Sequence, residues 1–291
     1  MQDFKSEEFK VTRRIKLADI DTEYRKNYDD DVKEEKLVDT SRKLAKIQEK
    51  MYANNRYAAL ICLQGMDTSG KDSLIRELFK QFNPRGVVIH SFKVPSSTEL
   101  EHDYLWRHYV VLPEKGKVAV FNRTHYENVL VTRVHPEYLL GENLPGIEKV
   151  EDVTPEFWEN RFRQINNFEQ HIAQNGTIVL KFYLHMSKEE QRKRLLRRLE
   201  EEDHNWKFSP GDLKERACWE QYMACYEEAI SETSKPHAPW FVVPADDKEL
   251  CRCIIADILL EELSKYDFPL PDLEDKVEDN IEMYRKQLEN E

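Results

Sequence analysis

The sequence predicts an α/β fold, a three-layer α/β/α sandwich built on a mainly parallel five-stranded sheet with a helical lid, and three observations carry that prediction. Short apolar runs alternate along the chain with longer segments of helical periodicity, the pattern that buries a parallel sheet between two layers of helices. The first apolar run leads at once into GMDTSGKD at 65–72, a Gly-x4-Gly-Lys loop placed between a strand and a helix. At 291 residues the chain is long enough for one full core, and no Gly/Ser linker, internal repeat or low-complexity tract divides it.

Taken in order, residues 1–34 are polar and carry Asp29, Asp30 and Asp31 in a row, which predicts a surface arm rather than core. Leu37, Leu44, Ile47 and Met51 then share one helical face, ending around Asn54 and Asn55. Residues 57–63 form a continuous apolar run that suits a strand buried on both sides, and 72–79 is the helix that the loop opens. Further strands are predicted at 86–92, 117–121, 177–184 and 240–244. Thr154 and Pro155 start a helix whose apolar stripe, Trp158, Phe162, Ile165 and Ile172, marks a core face ending near Gly176. Ser187 with Glu190 reads as a capping box, and Ser209 with Pro210 as another helix start. The whole chain is thus predicted to be a single domain. It carries a lid segment at about 187–216 and a peripheral acidic helix at about 268–291.

Composition narrows the partners. The chain is 40% hydrophobic and 34% charged, which fits a folded protein with long solvated helices. A formal net charge of -12 argues against a nucleic-acid or membrane-surface binder, since phosphate backbones and anionic headgroups are repelled on average. The five cysteines are odd in number and lack C-x2-C spacing, so neither zinc nor a disulfide framework is indicated. No apolar run reaches the length of a membrane helix, and MQDFKSEEFK lacks a secretory core, so a cytoplasmic location is expected.

The loop carries the strongest chemical signal. Such loops turn backbone N–H groups inward around phosphate oxygens, the following helix adds its positive end, and Lys71 reaches the transferring group. Asp72 stands where most such loops carry a Ser or Thr that ligates magnesium, and Asp67 adds a second carboxylate inside the loop. Negative charge at an anion site requires a divalent metal or strong positive compensation nearby. The segment FNRTHYENV at 121–129 follows the third strand and so emerges at the carboxyl edge of the sheet, where open α/β folds bind ligands. There Asn122 occupies the place of a common magnesium-binding Asp, Arg123 can neutralise phosphoryl oxygens, and Glu127 can replace the missing carboxylate. A basic run of Arg192, Lys193, Arg194, Arg197 and Arg198, with Lys207 and Arg216 beyond, reads either as a helix face satisfied by its flanking glutamates or as a lid closing over phosphates. Lys93 and Arg107 are smaller candidates facing the cleft, and His125 reads as a packing or hydrogen-bonding histidine.

With GMDTSGKD, SFKVP, DYLWRHY, FNRTHYENVLVTRVHPE, NWKFSPGDLKER and APWFVVPADDK in this order, the chain resembles the polyphosphate kinase 2 family over about residues 15–265. It is most similar to the one-domain subgroup acting on both AMP and ADP. The resemblance implies a P-loop kinase core with a helical lid, reversible transfer of the terminal phosphoryl group of inorganic polyphosphate to AMP and ADP, with GMP and GDP as further acceptors, and magnesium, or manganese in its place, as cofactor. It implies Asp67, Lys71, Arg123 and Glu127 as catalytic and Asp67, Asp72 and Glu127 as metal-binding. It places phosphate or polyphosphate on Gly65, Gly70, Lys71, Asp72, Lys93, Arg198 and Lys207, and nucleotide on Arg107, Asn122 and Arg133. A homo-oligomer is the expected assembly. Asn122 departs from relatives that carry Asp there, and Thr124 from the more usual Ser. Two other readings stand beside this one, an ATP-dependent nucleotide or nucleoside kinase and a non-catalytic nucleotide-binding switch. The guanine-reading Asn-Lys-x-Asp segment of the latter is absent.

Overall fold

The run Ala58–Gln64 forms the central strand β1, and every residue in it is buried, as a strand covered on both faces requires. The computed structural model describes residues 1–272, 277 and 280–290. In it β2 (Val87–Ser91), β3 (Val118–Asn122), β4 (Thr177–His185) and β5 (Trp240–Pro244) join β1 in the order β2-β3-β1-β4-β5. All four pairings are parallel. From β1 the chain crosses to the outer strand β2, comes back to β3 beside β1, and then passes to the other side of β1 through β4 and β5. The carboxyl end of β1 is therefore the switch point where such sheets open a crevice. Register brings Leu63 opposite Asn122 and Gln64 opposite Tyr183, so the ends of β1, β3 and β4 meet at one edge.

Helices cover both faces. They are α1 (Asp30–Asn54), α2 (Lys71–Leu78), the short α3 (Ser97–Leu100) and α4 (Trp106–Tyr109), α5 (Glu127–Val134), α6 (Pro155–Gln174) and α7 (Lys188–Glu200), followed by α8 (Glu202–Asn205), α9 (Pro210–Ala217), α10 (Trp219–Thr233), α11 (Lys248–Leu263) and α12 (Ile281–Glu289). One layer is α1, α2 and α11, and the other is α5, α6 and α10. Alternate residues of β1 feed two cores: Ala59, Ile61 and Leu63 pack with Leu44, Met51 and Leu74, whereas Leu60 and Cys62 meet Phe168 and Ile172 of α6. The α6 stripe behaves as its spacing predicts, with Phe162, Ile165 and Ile172 buried.

The structure corrects the reading of the N-terminal segment. Phe4, Phe9, Val11 and Leu17 are buried, and an antiparallel bridge joins Lys10 to Phe241 of β5. The Val11 N–H donates to the Trp240 carbonyl and the Val242 N–H to the Phe9 carbonyl, both at 2.9 Å, so this stretch covers an edge that β5 would otherwise leave open. Its polar composition hid a few apolar anchors whose partners lie more than 200 residues away. The Asp29–Asp31 run belongs to the start of α1, where carboxylates favour the positive end of the helix. A second correction concerns Ser187: its hydroxyl accepts the Glu190 N–H as predicted, but the Glu190 carboxylate turns to Arg194 instead of closing the box. At the other end of the chain the helix seen is α12, while residues 273–276, 278–279 and 291 of the predicted acidic helix lie outside the described residues.

Candidate active site

The loop between β1 and α2 is shaped by positions that ordinary side chains resist. Gly65 has φ 152°, and a Cβ there would lie 2.8 Å from Ser69 Oγ and 3.0 Å from the Leu184 carbonyl oxygen. Gly70 caps α2 at φ 104°, and Thr68 between them is also left-handed at φ 68°. The turn folds back on Lys71, whose Nζ donates to the carbonyls of Gly65 at 2.7 Å and Met66 at 3.1 Å and to Ser69 Oγ at 3.3 Å. These acceptors are neutral, and among the described residues no carboxylate comes within ion-pair distance of that ammonium. Burial and the nearby Arg123 cation push the Lys71 pKa down to about 8, with Asp67, Glu127 and Asp72 opposing from further off.

Two polar pairs face this lysine. Asp72 Oδ1 accepts from Asn122 Nδ2 at 2.7 Å, while the buried Asn122 Oδ1 has no hydrogen-bond partner. Arg123, at φ 56° on the turn leaving β3, donates to Asp67, and its other terminal nitrogen lies 3.7 Å from Glu127. Glu127 is held in turn by Gln64 Nε2 at 2.9 Å, which also reaches Thr124 Oγ1. The structure thus brings together Gly65, Asp67, Gly70, Lys71, Asp72, Asn122, Arg123 and Glu127, as the two motifs imply. It does not gather Asp67, Asp72 and Glu127 into one ligand set: Asp67 and Glu127 turn to Arg123 and Asp72 turns to Asn122, and no group of three or more metal-ligating side chains occurs among the described residues.

The remaining candidates sit apart from this centre. Arg107 lies over the Phe92 ring at 5.3 Å, with Nε 3.1 Å from Glu99, beside the end of β2. Arg133 packs over Trp158 and Phe162 and pairs with Glu228, so its contacts are with α6 and α10 and not with the loop. Lys93 is exposed, and Lys207 stacks its ammonium 5.2 Å from the exposed Trp206 ring. Arg198 bonds Asp212 and the Lys207 carbonyl, tying α7 to the start of α9.

The basic run does not act as one surface. Arg192 and Arg197 make helical pairs with Glu189 and Glu201. Arg194, by contrast, is buried and donates to the carbonyls of Thr68 at 3.0 Å, Ala245 at 2.7 Å and Asp246 at 2.8 Å. One turn earlier, Gln191 Nε2 donates to the Asp67 carbonyl at 3.1 Å. The base of α7 thereby holds the phosphate loop by its Asp67 and Thr68 carbonyls. Sequence reasoning placed Arg194 with its neighbours because composition alone does not say which of five cations faces inward.

A buried network missed in the sequence backs the second motif. Lys181 on β4 pairs with Glu169 of α6 at 2.5 Å and donates to Tyr126 Oη and the Thr233 carbonyl, both at 2.8 Å. Tyr126 Oη donates to Glu169 at 2.8 Å, and His125 Nε2 meets the same carboxylate at 3.0 Å. His125 is therefore a core hydrogen-bonding residue, and burial pulls its pKa down against the pull of Glu169. The available signal was Lys181 itself, a lone cation within the apolar run IVLKFYLH, which a buried strand tolerates only with a partner.

The polyphosphate kinase 2 (PPK2) family profile matches residues 26–138 and 142–269. An ADP-polyphosphate phosphotransferase from Rhodopseudomonas palustris is 46% identical over 246 residues, covering 84% of each chain. An AMP/ADP-polyphosphate phosphotransferase from Meiothermus ruber is 44% identical over 229 residues, covering 79% of this chain and 80% of that one. Among solved structures, polyphosphate kinase 2 from Arthrobacter aurescens TC1 superimposes with a TM-score of 0.86 at 34% identity, covering 98% of this chain and 99% of that one.

Proposed function

The chain belongs to the polyphosphate kinase 2 family, and from that premise we propose that it transfers the terminal phosphoryl group of inorganic polyphosphate to AMP and ADP. The observation that carries the reading is Lys71, a buried cation on the phosphate loop whose acceptors are all neutral and which has no carboxylate within ion-pair distance among the described residues. A phosphoryl oxygen completes that site. Arg123 then exchanges part of its bond to Asp67 for the equatorial oxygens of the transferring group, where its fork stabilises charge as it spreads. The acceptor phosphate of AMP or ADP is already ionised at neutral pH, so the task of the side chains is to bring two polyanions into line. Arg107, at the β2 edge of the crevice, is placed for the nucleotide side, and the 187–216 segment serves as the lid.

The donor set fits a hard divalent cation. Asn122 Oδ1 is buried, unpartnered and on the same side chain that holds Asp72, which offers two oxygens at one point. Magnesium commonly takes one or two protein oxygens and completes its shell with water and substrate phosphates, so Asp72 and Asn122 would hold it, with Asp67 available once Arg123 shifts to phosphate. When bound it supplies neutralisation of the phosphate oxygens.

Nucleotide analysis after mixing protein, magnesium, long-chain polyphosphate and AMP or ADP, without ATP, tests the reading, with Lys71→Ala as control. Stepwise ADP and ATP from AMP, lost in the control, is the expected result. Product only when ATP is supplied would make the chain an ATP-dependent kinase and contradict it.

A further inference from the structure

Gln64 ends β1, one residue before the phosphate loop, and is buried although its side chain is polar. Alternation along the strand puts it on the face of Leu60 and Cys62, the side covered by α5, α6 and α10. Its amide is fully used there. Nε2 donates to Glu127 Oε1 at 2.9 Å and to Thr124 Oγ1 at 3.2 Å, and Oε1 accepts from Tyr226 Oη at 3.5 Å. Burial drives the Tyr226 pKa well up, so its hydroxyl keeps the proton it donates to Oε1, which leaves Nε2 for Glu127 and Thr124. The preceding residue, Leu63, accepts from the Arg123 N–H at 3.3 Å. Two consecutive residues of β1 thus hold the turn after β3, one through its backbone and one through its side chain. That turn carries Arg123 at φ 56°, a conformation that a non-glycine residue keeps only where its surroundings enforce it.

Arg123 has two carboxylate partners. It donates to Asp67, and its other terminal nitrogen stands 3.7 Å from Glu127. As Arg123 passes from Asp67 to the transferring phosphoryl group, Glu127 is the partner that stays, and a guanidinium on a loose anchor would lose its aim. Apart from Arg123 itself, Gln64 is the side chain that bonds the Glu127 carboxylate among the described residues. We propose that Gln64 is a positioning residue for phosphoryl transfer: it fixes the Glu127 carboxylate and, through it, the guanidinium of Arg123. The inference rests on the reading that Arg123 serves the transferring group. It asks nothing of how the donor chain is held, so Gln64 acts on the rate of transfer and not on ground-state binding.

Steady-state kinetics of Gln64→Met, Glu127→Ala and the double variant, with polyphosphate and ADP as substrates and melting temperatures to follow the fold, test this. Gln64→Met keeps the length of the side chain but cannot donate. Gln64→Glu, the second variant, also cannot donate but keeps the acceptor for Tyr226, and it carries the same prediction if Gln64→Met does not fold. Each should lower kcat about 10- to 100-fold, the loss usual when the partner that orients a functional side chain is removed, with KM for polyphosphate and ADP as in wild type. In the Glu127→Ala background Gln64→Met should lower kcat no further, because the group it holds is gone. Wild-type kcat in both Gln64 variants would overturn the proposal. So would a loss that multiplies with that of Glu127→Ala, which would make Gln64 a packing residue, or a raised KM at unchanged kcat, which would make it a binding residue. Wild type without turnover on polyphosphate would instead contradict the donor reading. The same cycle with ATP as donor then decides the role of Gln64, and independent effects there would overturn it.

Discussion

Lys71 and Lys181 are both sealed from solvent, one at the mouth of the phosphate loop and one in the middle of β4, yet their surroundings differ in kind. Lys181 meets a full carboxylate, a phenol and a carbonyl, so its charge is answered inside the protein. Burial lowers its pKa and Glu169 resists that fall, while Lys181 and His125 outweigh burial to hold the Glu169 carboxyl below its usual range. Lys71 meets only two carbonyls and a hydroxyl. The difference teaches how to tell a structural buried charge from a functional one: the first has its counter-ion in the sequence, and the second leaves that place for a ligand.

Substituting each lysine by a residue of similar length separates the two roles. Lys71→Met should lower turnover with polyphosphate on the order of 10³-fold while the protein stays folded, as steady-state rates with circular dichroism would show. Comparable rates in the variant would break the comparison from the functional side. Lys181→Met should do the reverse and cost about 3–5 kcal/mol in denaturant unfolding, because it strands Glu169 in the core. Lys181→Met combined with Glu169→Gln should recover more than half of that loss, since no buried charge is then left unpaired.

The pH dependence sharpens the same contrast. Burial pulls the Lys71 pKa down to about 8 from the ordinary lysine value of 10.5, so the unfolded chain binds more protons between those values. The cost of burying the cation is therefore fully present below pH 8 and is relieved as pH rises toward 10.5. Relative to Lys71→Met, wild type should gain roughly 3 kcal/mol across that window, measurable by urea unfolding at fixed pH steps. Activity runs the other way: kcat/KM for the donor should fall above pH 8 as the free enzyme loses the Lys71 charge. At the small end, Arg192→Ala removes only an exposed pair with Glu189 and should leave melting temperature and turnover unchanged.

What was legible in the sequence was local. The strands were carried by apolar runs, and the loop by glycines whose backbone geometry no other residue supplies, so Gly65, Lys71 and Asp72 could be placed without coordinates. The meeting of Asn122 with Asp72, and of Arg123 with Asp67, followed from one motif sitting at the end of β3 beside the end of β1. Long-range pairings were not legible. Phe9 and Val11 reach β5 from the far end of the chain, and Arg194 reaches Thr68 across 126 residues, in each case from a segment whose composition suggests solvent. The surroundings of Arg133 were not legible for a related reason: it shares a helix with Glu127, but nearly two turns further on it packs on Trp158 and pairs with Glu228.

The most direct test of the central claim is the titration of Lys71 itself, followed through its ε-carbon resonance in selectively labelled protein and assigned by its loss in Lys71→Arg. The account predicts a midpoint near pH 8 in the free protein, displaced well upward when polyphosphate and magnesium are added. A midpoint at the ordinary lysine value in the free protein, or one that polyphosphate leaves in place, would mean that the loop holds no uncompensated charge for a donor to answer.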